Sequence, residues 1–203
     1  MKFKQFNLSY MMGYIIDDLP VTHIEKLDNI INSDLTEKWN KRLAGRIKKE
    51  FKINIKDLED LENYIINAAL HLDAALGGDI DDLELEYAWV NFQEKYEYNP
   101  PHTHTGDYSF VIWHKLPFTN ENESLIFPES SDNTCVNGQF GFLLSDTKVK
   151  LPFQEWKIVY IPVDKTWEHK IIIFPSKLLH FVNPFYTSDN YRISISGNLG
   201  RKP

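Results

Sequence analysis

The chain of 203 residues contains a single cysteine, Cys135. No intrachain disulfide can form, so burial and hydrogen bonding must hold the fold, and a reducing, cytoplasmic compartment is expected. Long apolar runs are missing as well. The nearest approach is "FNLSYMMGYII" behind Lys2 and Lys4, which polar residues interrupt and "DDLP" follows. No small-residue cleavage pattern comes after it and it falls short of a membrane span, so neither a signal peptide nor a transmembrane helix is expected. Basic charge is the minority, 22 Lys and Arg against 29 Asp and Glu, which leaves a net charge of −7. That balance argues against a long nucleic acid as partner. No glycine-rich turn follows a strand pattern as a P-loop or Rossmann site requires. Cys135 lies in "SDNTCVNG", far in sequence from any histidine, so a cysteine hydrolase has no support.

Aromatic residues are abundant at 14%, within a hydrophobic share of 42%. That is enough for a sizeable core, and the length suits one domain spanning 1–203. Two textures divide it. Residues 1–80 read as mainly helical. "VTHIEKLDNIIN" offers Thr22 and Glu25 as a capping box ahead of Ile24, Leu27, Ile30 and Ile31. "SDLTEKWNKRLAGRIKKEF" repeats the period with Leu35, Trp39, Leu43, Ile47 and Phe51. "KDLEDLENYIINAALHLDAAL" gives the clearest stripe, Leu58, Leu61, Ile65, Ala68 and Leu72, closed by Gly77 and Gly78. From Leu83 the pattern becomes short strand-like runs, among them "LELEYAWVNFQEKYEYN", "YSFVIWHKLPF", "SLIFP", "QFGFLL", "WKIVYIP", "HKIIIFP" and "YRISISGN". Gly, Pro, Asn and Asp punctuate them, as in a sandwich or barrel. The expectation is an α+β, mainly β chain: a jelly-roll core over 83–198, with N-terminal helices of residues 1–80 packed on one face.

Within "NPPHTHTGDYSFV" the two prolines favour extended backbone. His102 and His104, two residues apart, then project from the same side of a strand. Gly106 permits a turn that can bring Asp107 back to the same point. Two imidazoles and a carboxylate with open positions make a non-haem iron site. A hydrogen-bonded polar turn explains the same residues, and the spacing alone does not choose. Near the C-terminus, His180 follows a Phe-Pro-Ser break, and Arg192, Ser194 and Ser196 share one side of the last strand-like run. Alternation over a hydrophobic layer accounts for that register. So does a clamp for a dicarboxylate, since a guanidinium grips a carboxylate with two charge-assisted bonds and a serine adds a third.

Together, "WVNFQEKYEYNPPHTHTGDYSFVIW", "FPSKLLHFVNPF" and "RISISGN" resemble the 2-oxoglutarate/Fe(II)-dependent oxygenases, in the type found in marine bacteria and phages. The resemblance spans roughly 89–198 and leaves the front end uncovered. It implies a double-stranded β-helix, a cupin-like jelly roll with iron at its open end. It implies His102 and His180 as iron ligands, and Arg192 with Ser194 on the far carboxylate of 2-oxoglutarate. O2 would be the oxidant, succinate and CO2 the co-products, and a peptidyl or small-molecule substrate the group hydroxylated. The usual family pattern is H-x-D/E, and residue 104 is histidine. Either His104 completes a three-histidine site or Asp107 supplies the carboxylate. Two rivals remain: a cupin-like metal enzyme that does not use 2-oxoglutarate, and a non-catalytic barrel. The loop-rich stretch 117–150 is the expected rim of the pocket and the place for specificity.

Overall fold

The computed structural model describes residues 5–9, 12–128, 135–145 and 156–202. Its elements in order are β1 (Gln5–Ser9), β2 (Met12–Asp18), α1 (Val21–Ile31), β3 (Lys49–Ile53), α2 (Glu59–Ala75), β4 (Leu83–Gln93), β5 (Asn99–His102), β6 (Tyr108–Lys115), α3 (Asn120–Ser124), β7 (Phe140–Ser145), β8 (Trp156–Ile161), β9 (Lys170–Pro175), β10 (His180–Val182) and β11 (Arg192–Arg201). A seven-stranded sheet runs β1-β2-β9-β6-β11-β4-β3 and a four-stranded sheet runs β5-β10-β7-β8. Every strand pair is antiparallel. The two sheets face each other as the halves of a double-stranded β-helix.

Strand alternation divides the large sheet into two sides. Ala88, Val90, Ile112, Ile171, Ile173 and Ile195 point outward and bury against Leu61, Ile65, Ala68 and Leu72 of α2 and Leu27 of α1. The stripe read from α2 is thus the seam between helix and sheet. Glu59, Asp60 and Glu62 in its first turn suit the positive end of the helix dipole, and Gly77 ends it at φ +80°. On the other side Trp113, Phe140, Phe142, Ile172, Phe174 and Phe185 fill the space between the sheets.

The front third departs from the helical reading. β1 pairs antiparallel with β2, which extends the large sheet beside β9. Thr22 does not cap α1: the N-cap position falls on Pro20, with no side-chain cap bond. The periodic stretch 33–51 forms no α-helix: only Asn40–Arg42 make a single 3-10 turn, and from Lys49 it is β3. Its backbone pairs with the edge of β3, Trp39 N donating to Glu50 O at 2.8 Å and Lys52 N to Glu37 O at 2.9 Å. It then crosses to the small sheet, where Arg46 N donates to Tyr98 O at 2.8 Å. Pairing at two exposed sheet edges outweighs a helical period whose apolar residues have no common surface to cover. The result is a strap over the gap between β3 and β5, and its Ile47 is buried. "SLIFP" is likewise not a strand. Thr119 caps α3 by accepting from Asn122 N at 3.3 Å, and the fully buried Glu123 accepts from Tyr186 N, Thr187 N and Thr187 Oγ1. Those bonds satisfy the carboxylate and fix the helical turn, leaving Leu125, Ile126 and Phe127 exposed. Of the expected rim 117–150, residues 129–134 and 146–150 lie outside the described residues.

Candidate metal and oxo-acid site

β5 and β10 are neighbours in the small sheet, and their register sets His102 directly opposite His180. The ring centroids are 4.3 Å apart. Each ring is held through Nδ1 by a carbonyl two residues upstream: His102 by Pro100 O at 2.7 Å, His180 by Leu178 O at 2.9 Å. A carbonyl only accepts, so Nδ1 carries the proton and the Nε2 lone pair is free. His104 follows just past the end of β5. Its N donates to Ser176 O at 3.0 Å and its ring lies against the Trp89 indole, 5.5 Å between centroids. Gly106 turns the chain at φ +78°, and a Cβ there would meet Leu199 O at 2.6 Å. Ring nitrogens of His102, His104 and His180 all lie within 4.8 Å of one another.

Burial lowers the pKa of each imidazole. His104 falls to about 3 through desolvation and then the neighbouring His102, and His180, against both others, is also held well below the usual range. His102 is lowered chiefly by burial. All three present neutral rings at pH 7, the form that donates to a metal.

Asp107 does not join this group. Its Oδ2 accepts from Arg201 N at 3.1 Å and its Oδ1 from Arg201 Nε at 3.3 Å. The turn at Gly106 that was expected to return it to the histidines instead sends it along β11.

Arg192 opens β11 opposite Gln93 of β4 and is 2% exposed. Nη1 donates to Gly138 O at 2.7 Å, and the guanidinium lies 5.9 Å from the Phe118 ring. No carboxylate pairs with it among the described residues. Desolvation pulls its pKa to about 9, so it stays charged at pH 7. Ser194 and Ser196 follow on the same side, and Asn91 Nδ2 donates to Ser194 Oγ at 3.2 Å. His102, His104, His180, Arg192, Ser194 and Ser196 line one cavity, walled by Trp89, Phe140, Phe174 and Val182. All five remaining candidates, His102, His104, His180, Arg192 and Ser194, thus line this one cavity.

The reading missed Asn91 and Glu50. Asn91 Oδ1 is buried at the cavity wall without a partner. Glu50 faces Asn91 across β3 and β4, is 1% exposed, and has its carboxyl pushed up to about 7 by desolvation. Its folded pKa exceeds the unfolded value, so its burial is harmless at low pH and becomes costly as pH rises through 7. Glu50→Gln is therefore expected to leave stability unchanged at pH 5 and to raise it by about 1–3 kcal/mol at pH 8, read from denaturant melts at both pH values. Equal effects at the two would show that Glu50 does not titrate as a buried acid.

The fold and this pocket define a class, the double-stranded β-helix. Three solved structures share it. A Pseudomonas putida prolyl-4-hydroxylase matches with TM-score 0.55 at 15% identity, over 95% of this chain and 94% of its own. A Trichoplax adhaerens prolyl hydroxylase, in complex with a hypoxia inducible factor oxygen degradation domain peptide fragment, matches with TM-score 0.53 at 13% identity, over 92% and 81%. HygX from Streptomyces hygroscopicus, with nickel, 2-oxoglutarate and hygromycin B bound, matches with TM-score 0.55 at 8% identity, over 95% and 83%. No curated protein sequence matches the chain. The family model described as "Putative 2OG-Fe(II) oxygenase" matches residues 87–198, and the chain belongs to that family. It is a 2-oxoglutarate- and Fe(II)-dependent oxygenase.

Proposed function

We propose that His102, His104 and His180 hold the Fe(II), that Arg192 with Ser194 holds the far carboxylate of 2-oxoglutarate, and that the enzyme hydroxylates a peptidyl or small-molecule substrate in the cytoplasm. The observation that carries this reading is the pair of unmet demands in one cavity. Three neutral imidazoles converge on one point, and among the described residues no carboxylate pairs with the buried guanidinium. Imidazole donors suit a divalent first-row metal, and the carbonyls behind His102 and His180 fix ring orientation and tautomer. Bound together, iron and 2-oxoglutarate supply reductive activation of dioxygen, coupled to decarboxylation of the oxo acid to succinate and CO2.

The chain's own groups orient that chemistry. Arg192 neutralises the carboxylate at the closed end, and Ser194 adds a hydroxyl beside it. Phe140 and Phe174 pack against the His180 ring at 5.7 and 4.8 Å and keep water from that side of the metal. Three imidazoles bring no negative charge to the metal, unlike two imidazoles and a carboxylate, so the bound oxo acid is the main anion there. The structural neighbours hold a peptide fragment in one case and hygromycin B in another, which supports the two substrate classes. The net charge of −7 supports neither DNA nor RNA, and the single cysteine fits a reducing compartment. Among the described residues no helix is long and apolar enough to cross a membrane.

Anaerobic titration tests the assignment. One equivalent of Fe(II) followed by 2-oxoglutarate is expected to raise the weak visible charge-transfer band of a chelated Fe(II)–oxo acid complex. Iron uptake with no band on adding the oxo acid would overturn the Arg192 role, and no iron uptake would overturn the three-histidine role.

A further inference from the structure

Among the described residues Arg192 is not the only buried ionisable group without a counter-ion. Glu50, on the strap side of the same cavity, is its mirror image. Only one donor reaches its carboxylate among the described residues: Asn40 Nδ2, 3.1 Å from Oε2. Oε1 has none. The other buried acid of this corner, Glu97, is satisfied by Lys48 N at 3.2 Å, Glu94 N at 2.9 Å and Lys48 Nζ at 3.7 Å. Two cavity-lining amides near Glu50 have oxygens that are buried without a donor among the described residues, Asn91 Oδ1 and Asn99 Oδ1. Asn91 is the cross-strand partner of Glu50. Asn99 and Glu50 converge on Gly45 of the strap, where an added Cβ would sit 2.5 Å from Asn99 Oδ1 and 2.7 Å from Glu50 Oε1. Three acceptors therefore gather beside the cavity where the strap crosses it, and Asn91 also links them to Ser194 through its Nδ2.

Buried acceptors are normally matched by donors, and a buried carboxylate by a cation. A fold that leaves three unmatched beside a ligand cavity is shaped for a ligand that brings the donors. We propose that this enzyme's substrate carries an N–H cation, an ammonium or guanidinium group, which Asn91 and Asn99 take by hydrogen bonds while Glu50 behind them supplies the charge. The inference rests on the cavity being the oxygenase site proposed above. The two buried groups then sort the two ligands by sign: the dianionic oxo acid goes to Arg192 and the cationic substrate to the acceptors in front of Glu50. Burial strengthens both attractions, because little water screens them. The acid at Glu50 is also poised to respond, since its carboxyl is raised to about 7 by burial and an approaching cation favours the ionised form.

The test uses the full chain loaded with Zn(II), a diamagnetic stand-in for Fe(II), in the presence of 2-oxoglutarate at pH 8. Saturation-transfer NMR follows three probes of equal length: n-butylamine, n-butanol and butyrate. The expected result is that n-butylamine binds at least tenfold more tightly than the other two, and that Glu50→Gln removes this preference. The 2-oxoglutarate signals in the same tubes should be unchanged by Glu50→Gln. Equal binding of the three probes, or a preference that survives Glu50→Gln, would overturn the proposal. If Glu50→Gln does not fold, Asn99→Ala removes one of the accepting oxygens and leaves the Glu50 charge, so n-butylamine should bind severalfold more weakly while n-butanol and butyrate are unchanged; unchanged n-butylamine binding would overturn the proposal. Loss of the 2-oxoglutarate signals in wild type with the n-butylamine preference intact would count against the oxo-acid assignment and uphold the cation subsite.

Discussion

Arg192→Met is expected to weaken 2-oxoglutarate binding by roughly 10²–10⁴-fold while leaving the protein folded and more stable than wild type. Both halves follow from one fact: the guanidinium is 2% exposed and among the described residues has a single hydrogen bond, to Gly138 O. An unpaired buried charge costs several kcal/mol to desolvate, and replacing buried ions by apolar side chains of similar size is often stabilising by about 1–4 kcal/mol. Methionine is unbranched and fills an irregular space against Phe118 and Phe185. At about 2–4 °C per kcal/mol for a chain of this size, the melting midpoint of the ligand-free protein should rise by several degrees. The affinity loss has the opposite origin. Without the guanidinium, the dicarboxylate must leave water for an apolar wall, and losing one partner of a buried charge pair costs about 3–5 kcal/mol. Calorimetric titration of the Zn(II)-loaded variants with 2-oxoglutarate and thermal melts without it measure the two effects separately. Arg192→Lys should recover only part of the affinity, because an ammonium cannot reproduce the planar fork. A lower melting midpoint with unchanged affinity would make Arg192 a structural residue held by Gly138.

The parts of this architecture that were legible in the sequence are those whose signal is local. The stripe from Leu58 to Leu72 lies on a helix that meets a single surface, so its period survives folding. The alternation around Ile193 and Ile195 reads correctly for the same reason, because β11 lies in mid-sheet with one apolar face. Residues 33–51 have an equally good period and it misleads. Leu35 and Phe51 pack on the helix-side core, Ile47 enters the ligand cavity, and Trp39 lies under Lys52 and Arg42. What decides that segment is hydrogen bonding to edges built by strands far along the chain, which no local window contains. The site shows the same division. His102 and His104 stand out by their spacing, whereas Glu50 sits in "KKEFK" and looks like one more solvated charge. Its significance comes from Asn91 and Gly45, which only the sheet and the strap bring beside it. Asp107 was ambiguous for a related reason: Gly106 permits a turn in either sense, and its direction is set by Asp107 N donating to Leu199 O at 2.8 Å.

That ambiguity has a decisive experiment. His180→Ala is expected to reduce metal affinity by about 10²–10³-fold, whereas Asp107→Asn should leave it within about twofold. A tight structural zinc site with four protein ligands is worth about 10–16 kcal/mol, or roughly 2.5–4 kcal/mol per ligand, and that share converts to the fold-change expected for His180. His180 is also the best buttressed of the three, with Leu178 O behind Nδ1 and Phe140 and Phe174 against its ring. Alanine there leaves two imidazoles and an apolar hollow. Asp107 is engaged elsewhere, in a contact with Arg201 whose side chain is 60% exposed. Breaking such a contact costs under about 1 kcal/mol and moves none of the three histidines. His104→Ala distinguishes the two ligand sets directly. With His104 as third ligand it should fall with His180→Ala, and Asp107→Asn should stay with wild type. With Asp107 as third ligand the pattern reverses, because His104→Ala would then spare the metal and Asp107→Asn would lose it. Competition of Zn(II) against a chromophoric chelator gives all four affinities in one assay. The order wild type and Asp107→Asn together, far above His104→Ala and His180→Ala together, is the one that three converging imidazoles require.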